Sequence, residues 1–133
     1  MIVKLLSYNI RFGGRKRERQ LAEVIRFVDP DIVVFQEAID PNVINHLAAA
    51  TEMPFWSARR EHSIGYISRL ETSHHEWHYP AGAKHSFLEI VLQGSDARIF
   101  GLHLSSMFSK WGERRRVREI RALLKIIERH QHG

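Results

Sequence analysis

The stretch Asp31-Ile-Val-Val-Phe-Gln-Glu37 predicts the element around which the chain folds. Its four consecutive apolar residues are β-branched or aromatic, which is typical of a short strand buried on both faces. An Asp-Pro-Asp turn at residues 29–31 leads into this strand, and Glu37 follows it directly. A charge at that point is costly unless water, a metal or a partner meets it. Active-site carboxylates often lie at such strand ends. From this stretch alone, an active-site Glu37 and a Glu37 that is simply exposed to solvent are equally good interpretations.

The composition indicates one domain, residues 1–133, that buries one core and has a cytoplasmic location. Twenty lysine and arginine residues against 15 aspartate and glutamate residues give a net charge of +5, which favours anionic partners. The absence of cysteine excludes disulfide bonds and thiolate metal sites. No apolar run approaches the roughly 18 residues of a membrane span, and the first residues lack the pattern of a signal peptide, so we expect no membrane partner.

The hydrophobic pattern predicts an α/β fold with a mixed β-sheet and helices on one face. The predicted strands cover residues 2–10, 32–35, 55–58, 63–70, 85–93 and 97–104. The predicted helices cover about residues 16–28, 41–50 and 113–128, and Asp40-Pro41 is typical of a helix start. The last helix carries one apolar stripe, formed by Val117, Ile120, Leu124 and Ile127.

Two predicted strands, at residues 32–35 and 99–104, carry apolar side chains on both faces. The predicted helices are too few to cover two faces of a sheet. An uncovered face would be an apolar patch larger than monomers tolerate. We therefore expect a second copy of the chain, or a complementary second half, to cover that face.

Residues 71–83 have no clear periodicity. This segment is rich in aromatic and imidazole side chains, namely His74, His75, Trp77, His78 and Tyr79. These residue types suggest a metal site or a base-stacking loop. Because no predicted helix places them on one face, we interpret the segment as an ordinary loop.

Four motifs follow one another along the chain in an order known from one family. They are Leu6-Ser-Tyr-Asn9-Ile-Arg-Phe-Gly13, Asp29-Pro-Asp-Ile-Val-Val-Phe-Gln-Glu37, Ile64-Gly-Tyr-Ile-Ser-Arg69 and Arg98-Ile-Phe-Gly-Leu-His103-Leu104. Together they resemble the DNase I-like endonuclease/exonuclease/phosphatase superfamily. Each motif is weak alone, but the joint match is specific and spans nearly the whole chain. It corresponds to about the first half of the family domain.

The resemblance implies half of a four-layer α/β sandwich, in which this chain supplies one sheet. The uncovered face of that sheet leads us to expect that homodimerisation completes the fold. It also implies hydrolysis of phosphoesters with Mg²⁺ or Mn²⁺. Glu37 matches the metal-binding glutamate, Asn9 matches an asparagine that positions metal or phosphate, and His103 matches a catalytic histidine near the scissile phosphate. Oxygen ligands of this kind are those that Mg²⁺ prefers.

The expected phosphate or substrate contacts are Arg11, Arg15 and Arg69. Arg69 ends the Ser-Arg motif of the resemblance, and the other two lie in the basic segment after Asn9. The basic charge favours a nucleic acid, or another phosphodiester, as substrate. Each residue has a plainer alternative: Asn9 caps a turn, His103 is an ordinary histidine near a strand end, and Arg69 pairs with a surface carboxylate.

Two motifs of the superfamily, Gly-Asp-x-Asn and Ser-Asp-His, do not occur in the sequence. In the superfamily their side chains act at the nucleophile and the phosphate. Two hypotheses therefore stay open. The first is a metal-dependent phosphodiesterase or nuclease, which the missing motifs could leave incomplete or inactive. The second is a non-catalytic half-domain that associates with itself as a binding or assembly module.

Overall fold

A computed structural model of the protein describes residues 2–81 and 83–103, and residues 114, 116–121, 123–125 and 128 near the end of the chain. The strands are β1 (Leu5–Asn9), β2 (Ile32–Gln36), β3 (Phe55–Ser57), β4 (Gly65–Ser68), β5 (Thr72–His78), β6 (Phe87–Leu92) and β7 (Arg98–Gly101). The helices are α1 (Glu18–Val28) and α2 (Pro41–Ala50), and a 3₁₀ turn covers Phe12–Gly14. The described residues between 114 and 128 are helical and are called α3.

The strands of the described residues form two sheets. The first sheet has four strands in the order β1-β2-β4-β3, and the second has three in the order β5-β6-β7. β1 and β2 are parallel, whereas every other pair is antiparallel. A parallel pair needs a crossover connection, which α1 supplies between β1 and β2.

The helices α1 and α2 cover the outer face of the first sheet. Leu21 and Ile25 of α1 and Leu47 of α2 are buried in one cluster with Val33 and Phe35 of β2. α1 ends where the chain turns into a left-handed conformation at residue 29, and α2 begins at an aspartate N-cap followed by proline. Among the described residues, no helix is long and apolar enough to cross a membrane.

The inner face of the first sheet packs against the second sheet. Their shared core contains Ile32, Val34, Ile64, Tyr66, Leu88, Ile90 and Leu92. Burial of each aliphatic side chain of this kind stabilises the fold by about 1.5–3 kcal/mol. The sheets approach each other closely at Gly101 of β7, where an added Cβ would lie 2.6 Å from Val34 Cγ1 and 2.9 Å from Ile64 Cγ2. The glycine therefore sets how closely the two sheets pack.

The α/β class and the mixed sheet with helices on one face are confirmed. The prediction that its second face needs a cover from outside the chain is wrong, because strands of the same chain cover it. The chain thus contributes strands to two sheets rather than to one. On the outer side of the second sheet, Leu123 of α3 is buried next to Phe87 of β6.

Two further expectations are corrected. The segment interpreted as a loop contains β5, which pairs with β6 from Thr72 to His78 with one register shift. In α3 the buried side chains are Glu119 and Leu123, whereas the predicted stripe is exposed at Val117, Ile120 and Leu124. The fourth member of that stripe, Ile127, lies outside the described residues.

Replacing Gly101 by alanine should lower the free energy of unfolding by about 1–3 kcal/mol, because the new methyl group overpacks the contact between the sheets. Gly94→Asn is the control, since Gly94 has a positive φ of 75° that asparagine tolerates and no heavy atom within 4 Å of an added Cβ. Urea unfolding at pH 7 measures both values. Equal losses in the two variants would contradict this packing.

Candidate functional site

The ends of β1, β2 and β4 meet at one edge of the first sheet. Asn9 lies opposite Gln36 in the parallel register, so Asn9 and Glu37 stand next to each other at the carboxyl ends of their strands. β4 runs antiparallel to β2, with Gly65 opposite Phe35, so β4 begins at this same edge. Ligands in α/β proteins often bind outside the carboxyl ends of such strands.

His103 reaches the same edge from the second sheet. It follows β7, and its Nδ1 lies 3.4 Å from the Oγ atom of Ser63. The carbonyl of Ser63 accepts a hydrogen bond of 2.8 Å from the N–H of Ala38, the residue after Glu37. The buried Ser63 therefore links the histidine that follows the second sheet to the backbone directly after Glu37. We did not identify Ser63 from the sequence, where it appears only as the start of a strand.

Glu37 is held in a left-handed backbone conformation with φ of 58°. A non-glycine residue in this region costs on the order of 1–3 kcal/mol and persists where its surroundings fix it. Two hydrogen bonds do so here: the Gly13 N–H donates to the Glu37 carbonyl at 3.0 Å, and the Ala38 N–H donates to Ser63. Glu52 shares the conformation, with φ of 56°, so the backbone alone does not mark a site.

The loop after Asn9 also has positive φ values, at Arg11, Phe12, Gly13 and Gly14. The Oδ1 atom of Asn9 accepts a hydrogen bond of 2.9 Å from the Arg11 N–H, which is the turn-capping alternative noted for this residue. An amide oxygen has a second lone pair, so this bond leaves room for a ligand. Phe12 in this loop is 82% exposed.

Solved structures share this arrangement of strands and helices. TDP2 from D. rerio, complexed with single strand DNA product, matches with a TM-score of 0.73 and 19% identity over 95% of this chain and 54% of TDP2. The 3′ phosphatase NExo from Neisseria, bound to a product DNA hairpin, matches with a TM-score of 0.66 and 18% identity over 98% of this chain and 53% of NExo. The chain has a DNase I-like fold.

An endonuclease/exonuclease/phosphatase from Beutenbergia cavernae gives a TM-score of 0.62 and 18% identity, over 89% of this chain and 43% of that protein. The chain therefore spans about half the length of the solved structures that it matches. No protein-family model and no curated protein matches the sequence. The similarity to these solved structures is therefore a similarity of fold.

Two of the predicted basic contacts lie beside the candidate site of this DNase I-like fold. Arg11 is exposed in the loop that follows Asn9. The Nε atom of Arg15 donates a 2.6 Å hydrogen bond to Oδ2 of Asp40, the buried N-cap of α2. This bond lowers the pKa of the Asp40 carboxyl below its usual value. Arg15 is thus positioned by the helix start that comes three residues after Glu37.

Arg69, the third predicted phosphate contact, is not at this edge. Its Nη2 atom lies 2.6 Å from Oδ1 of Asp29, and its N–H donates to the carbonyl of Asp31, before β2 begins. The five residues of β2 separate this edge from Glu37 by roughly 16 Å. The pairing lowers the pKa of Asp29. The prediction that Arg69 contacts phosphate is therefore corrected: Arg69 pairs with surface carboxylates, as the plainer alternative stated.

Three histidines that the sequence reasoning missed or left aside, His62, His75 and His85, make ring contacts in the structure. The ring of His85 stacks on His103 at 4.2 Å between centroids. His62 Nδ1 lies 2.7 Å from Ser86 Oγ, and its ring stacks on Trp77 at 5.0 Å. Burial lowers the pKa of His62, and burial likewise lowers the pKa of His75 on β5.

The depressed pKa of His62 predicts that the fold weakens in mild acid. At this position the unfolded chain, with a histidine pKa of about 6.5, binds a proton more readily than the folded chain. The contribution of His62 to stability is therefore constant above this pH and falls below it. Urea unfolding between pH 7.5 and 5.5 should show this fall, and His62→Gln should reduce it. His46→Gln, at an exposed position of α2, is the control. An unchanged pH dependence in His62→Gln would contradict the assignment.

Proposed function

We propose that the chain carries a metal-dependent phosphodiesterase site formed by Asn9, Glu37 and His103, with a nucleic acid as substrate. The observation that carries this proposal is the convergence of three polar strand ends, two from the first sheet and one from the second. The likeness in fold to TDP2 and NExo, both solved with DNA, supports this class of substrate.

The side chains at this edge fit a divalent cation. A carboxylate from Glu37 and an amide oxygen from Asn9 are hard oxygen donors, and Mg²⁺ or Mn²⁺ is often held by one or two protein ligands plus water and phosphate. Glu37 is partly exposed, so a hydrated ion has access to it. Such an ion, when bound, would neutralise phosphate charge and make its bound water a better nucleophile.

The protein's own residues would position the phosphate. Since Nδ1 of His103 faces Ser63, the Nε2 edge of the ring would meet a phosphate oxygen and donate a hydrogen bond to it. Stacking on His85 limits the rotation of that ring. Asn9 would hold the phosphate or the ion while its Oδ1 atom also caps the loop.

The exposed loop next to Asn9 supports a nucleic acid over a smaller phosphodiester. Arg11 is exposed in the loop whose Gly13 N–H donates to the Glu37 carbonyl, and Arg15 pairs with Asp40 at the start of α2; from these positions both would contact the phosphate backbone. Phe12 is exposed between them in the sequence, and an exposed aromatic ring beside arginines is a stacking platform for a base. Arg69 has no part in this site.

The second candidate is a non-catalytic module that associates with itself or with a complementary second half. Its original argument, an uncovered sheet face, no longer holds. The observation that favours it is the exposure of Val117, Ile120 and Leu124 on α3, a spacing that forms one apolar stripe on a helix. Homodimerisation, one domain over residues 1–133 and a cytoplasmic location stay predictions.

Glu37→Gln should reduce Mg²⁺-dependent cleavage of a single-stranded DNA oligonucleotide by about a hundredfold or more, because the neutral amide no longer holds the cation. Glu52→Gln is the matched control, since Glu52 is an exposed glutamate with nearly the same positive φ. Product formation is followed by gel electrophoresis, with and without EDTA.

Cleavage that survives in Glu37→Gln would exclude this residue as the metal ligand. A wild-type chain that folds, binds the oligonucleotide and does not cleave it at any Mg²⁺ or Mn²⁺ concentration would exclude the catalytic proposal. In that case the mass of the chain in solution, measured by light scattering, would decide whether the second candidate holds.

A further inference from the structure

The outer face of the second sheet carries two histidines and two glutamates that the candidate phosphodiesterase site does not use. His74, Glu76 and His78 alternate along β5 and therefore point to one side of the strand. Glu76 lies directly opposite Glu89 of β6. The residues on either side of Glu89, Leu88 and Ile90, are buried between the sheets, so Glu89 faces outward.

The side-chain atoms of this group lie at distances that suit one bound cation. Oε1 of Glu89 is 3.1 Å from Nε2 of His78 and 4.0 Å from Nε2 of His74. Oε2 of Glu76 is 3.6 Å from His74 Nε2 and 3.8 Å from His78 Nε2. Ligand atoms bound tetrahedrally to Zn²⁺ at about 2.0–2.2 Å are roughly 3.3 Å apart. The ligand atoms of His74, Glu76 and Glu89 all lie within 4.8 Å of one another, so small side-chain movements would bring these three around one ion. His78 lies next to both carboxylates and would be the fourth ligand.

The burial of the group is uneven in a way that suits a metal site. The side chain of Glu89 is fully buried, whereas those of His74 and Glu76 are about half exposed, at 51% and 52%. An ion can therefore approach His74 and Glu76 from solvent, and the buried carboxylate of Glu89 lies behind them. Nη1 of Arg98 donates a 2.7 Å hydrogen bond to Oε2 of Glu89. Outer hydrogen bonds of this kind orient metal ligands, and the Oε1 atom of Glu89 lies 3.1 Å from the imidazole of His78 and 4.0 Å from that of His74.

We propose that His74, Glu76, His78 and Glu89 form a binding site for a divalent transition-metal cation, with Zn²⁺ as the best match. Imidazole and carboxylate ligands together suit Zn²⁺ better than Mg²⁺, which prefers oxygen ligands alone. The site differs from the candidate phosphodiesterase site, because it lies on the outer face of the second sheet. The bound ion would tie β5, the edge strand, to β6 next to the register shift between Thr72 and His74.

Isothermal titration of the metal-stripped full chain with ZnCl₂, in excess Mg²⁺, tests this proposal. We expect one Zn²⁺ per chain and a rise in Tm on binding, because the ion links two strands. The double variant His74→Ala/Glu76→Gln should lose at least about tenfold in affinity and lose the rise in Tm. Both substituted side chains are half exposed, and far-UV circular dichroism confirms that the variant folds.

The matched control is His46→Ala/Glu52→Gln, which removes an exposed histidine and an exposed glutamate elsewhere on the surface. It should bind Zn²⁺ as the wild type does. Glu37→Gln should also bind Zn²⁺ normally, which separates this proposal from the phosphodiesterase proposal. The inference is overturned if the wild type binds no Zn²⁺, if the double variant binds it with unchanged affinity, or if Glu37→Gln abolishes the binding.

Discussion

The close approach of the two sheets at Gly101 is the contact on which the rest of the structure depends. Without a Cβ at this position, β7 reaches Val34 of the first sheet. The chain that leaves β7 then places His103 against Ser63, at the edge where Glu37 emerges. A wider separation of the sheets would move the histidine away from the glutamate. The close contact at Gly101 therefore determines both the packing of the core between the sheets and the geometry of the candidate site.

The parts of the fold that the sequence predicted are those set by local patterns. The apolar run before Glu37 and the aspartate-proline start of α2 form the elements expected of them. The position of Glu37 beside Asn9 could also be predicted from the sequence, because a strand, a helix and a second strand in this order form a parallel pair. In each case the interactions that determine the element are local in the sequence, or lie within one strand–helix–strand unit.

The parts that the sequence did not predict depend on pairing between distant strands. Nothing local distinguishes one large sheet from two that face each other. The direction of β4 determines that Arg69 lies at the far edge, beside Asp29, and this direction is a property of the whole sheet. β5 was missed because its outward residues are polar, although His74, Glu76 and His78 alternate with the period of a strand. This two-residue alternation of polar side chains was the sequence signal that could have identified β5.

The central claim is that the edge with Asn9, Glu37 and His103 holds a divalent cation. Titration of the ¹⁵N-labelled chain with Mn²⁺, followed by NMR, tests it most directly, because a bound paramagnetic ion broadens the amide signals around it. The account predicts early broadening at Asn9, Glu37 and His103, and much weaker broadening at Arg69, which lies at the opposite edge. Broadening that spares the first three residues would contradict the account.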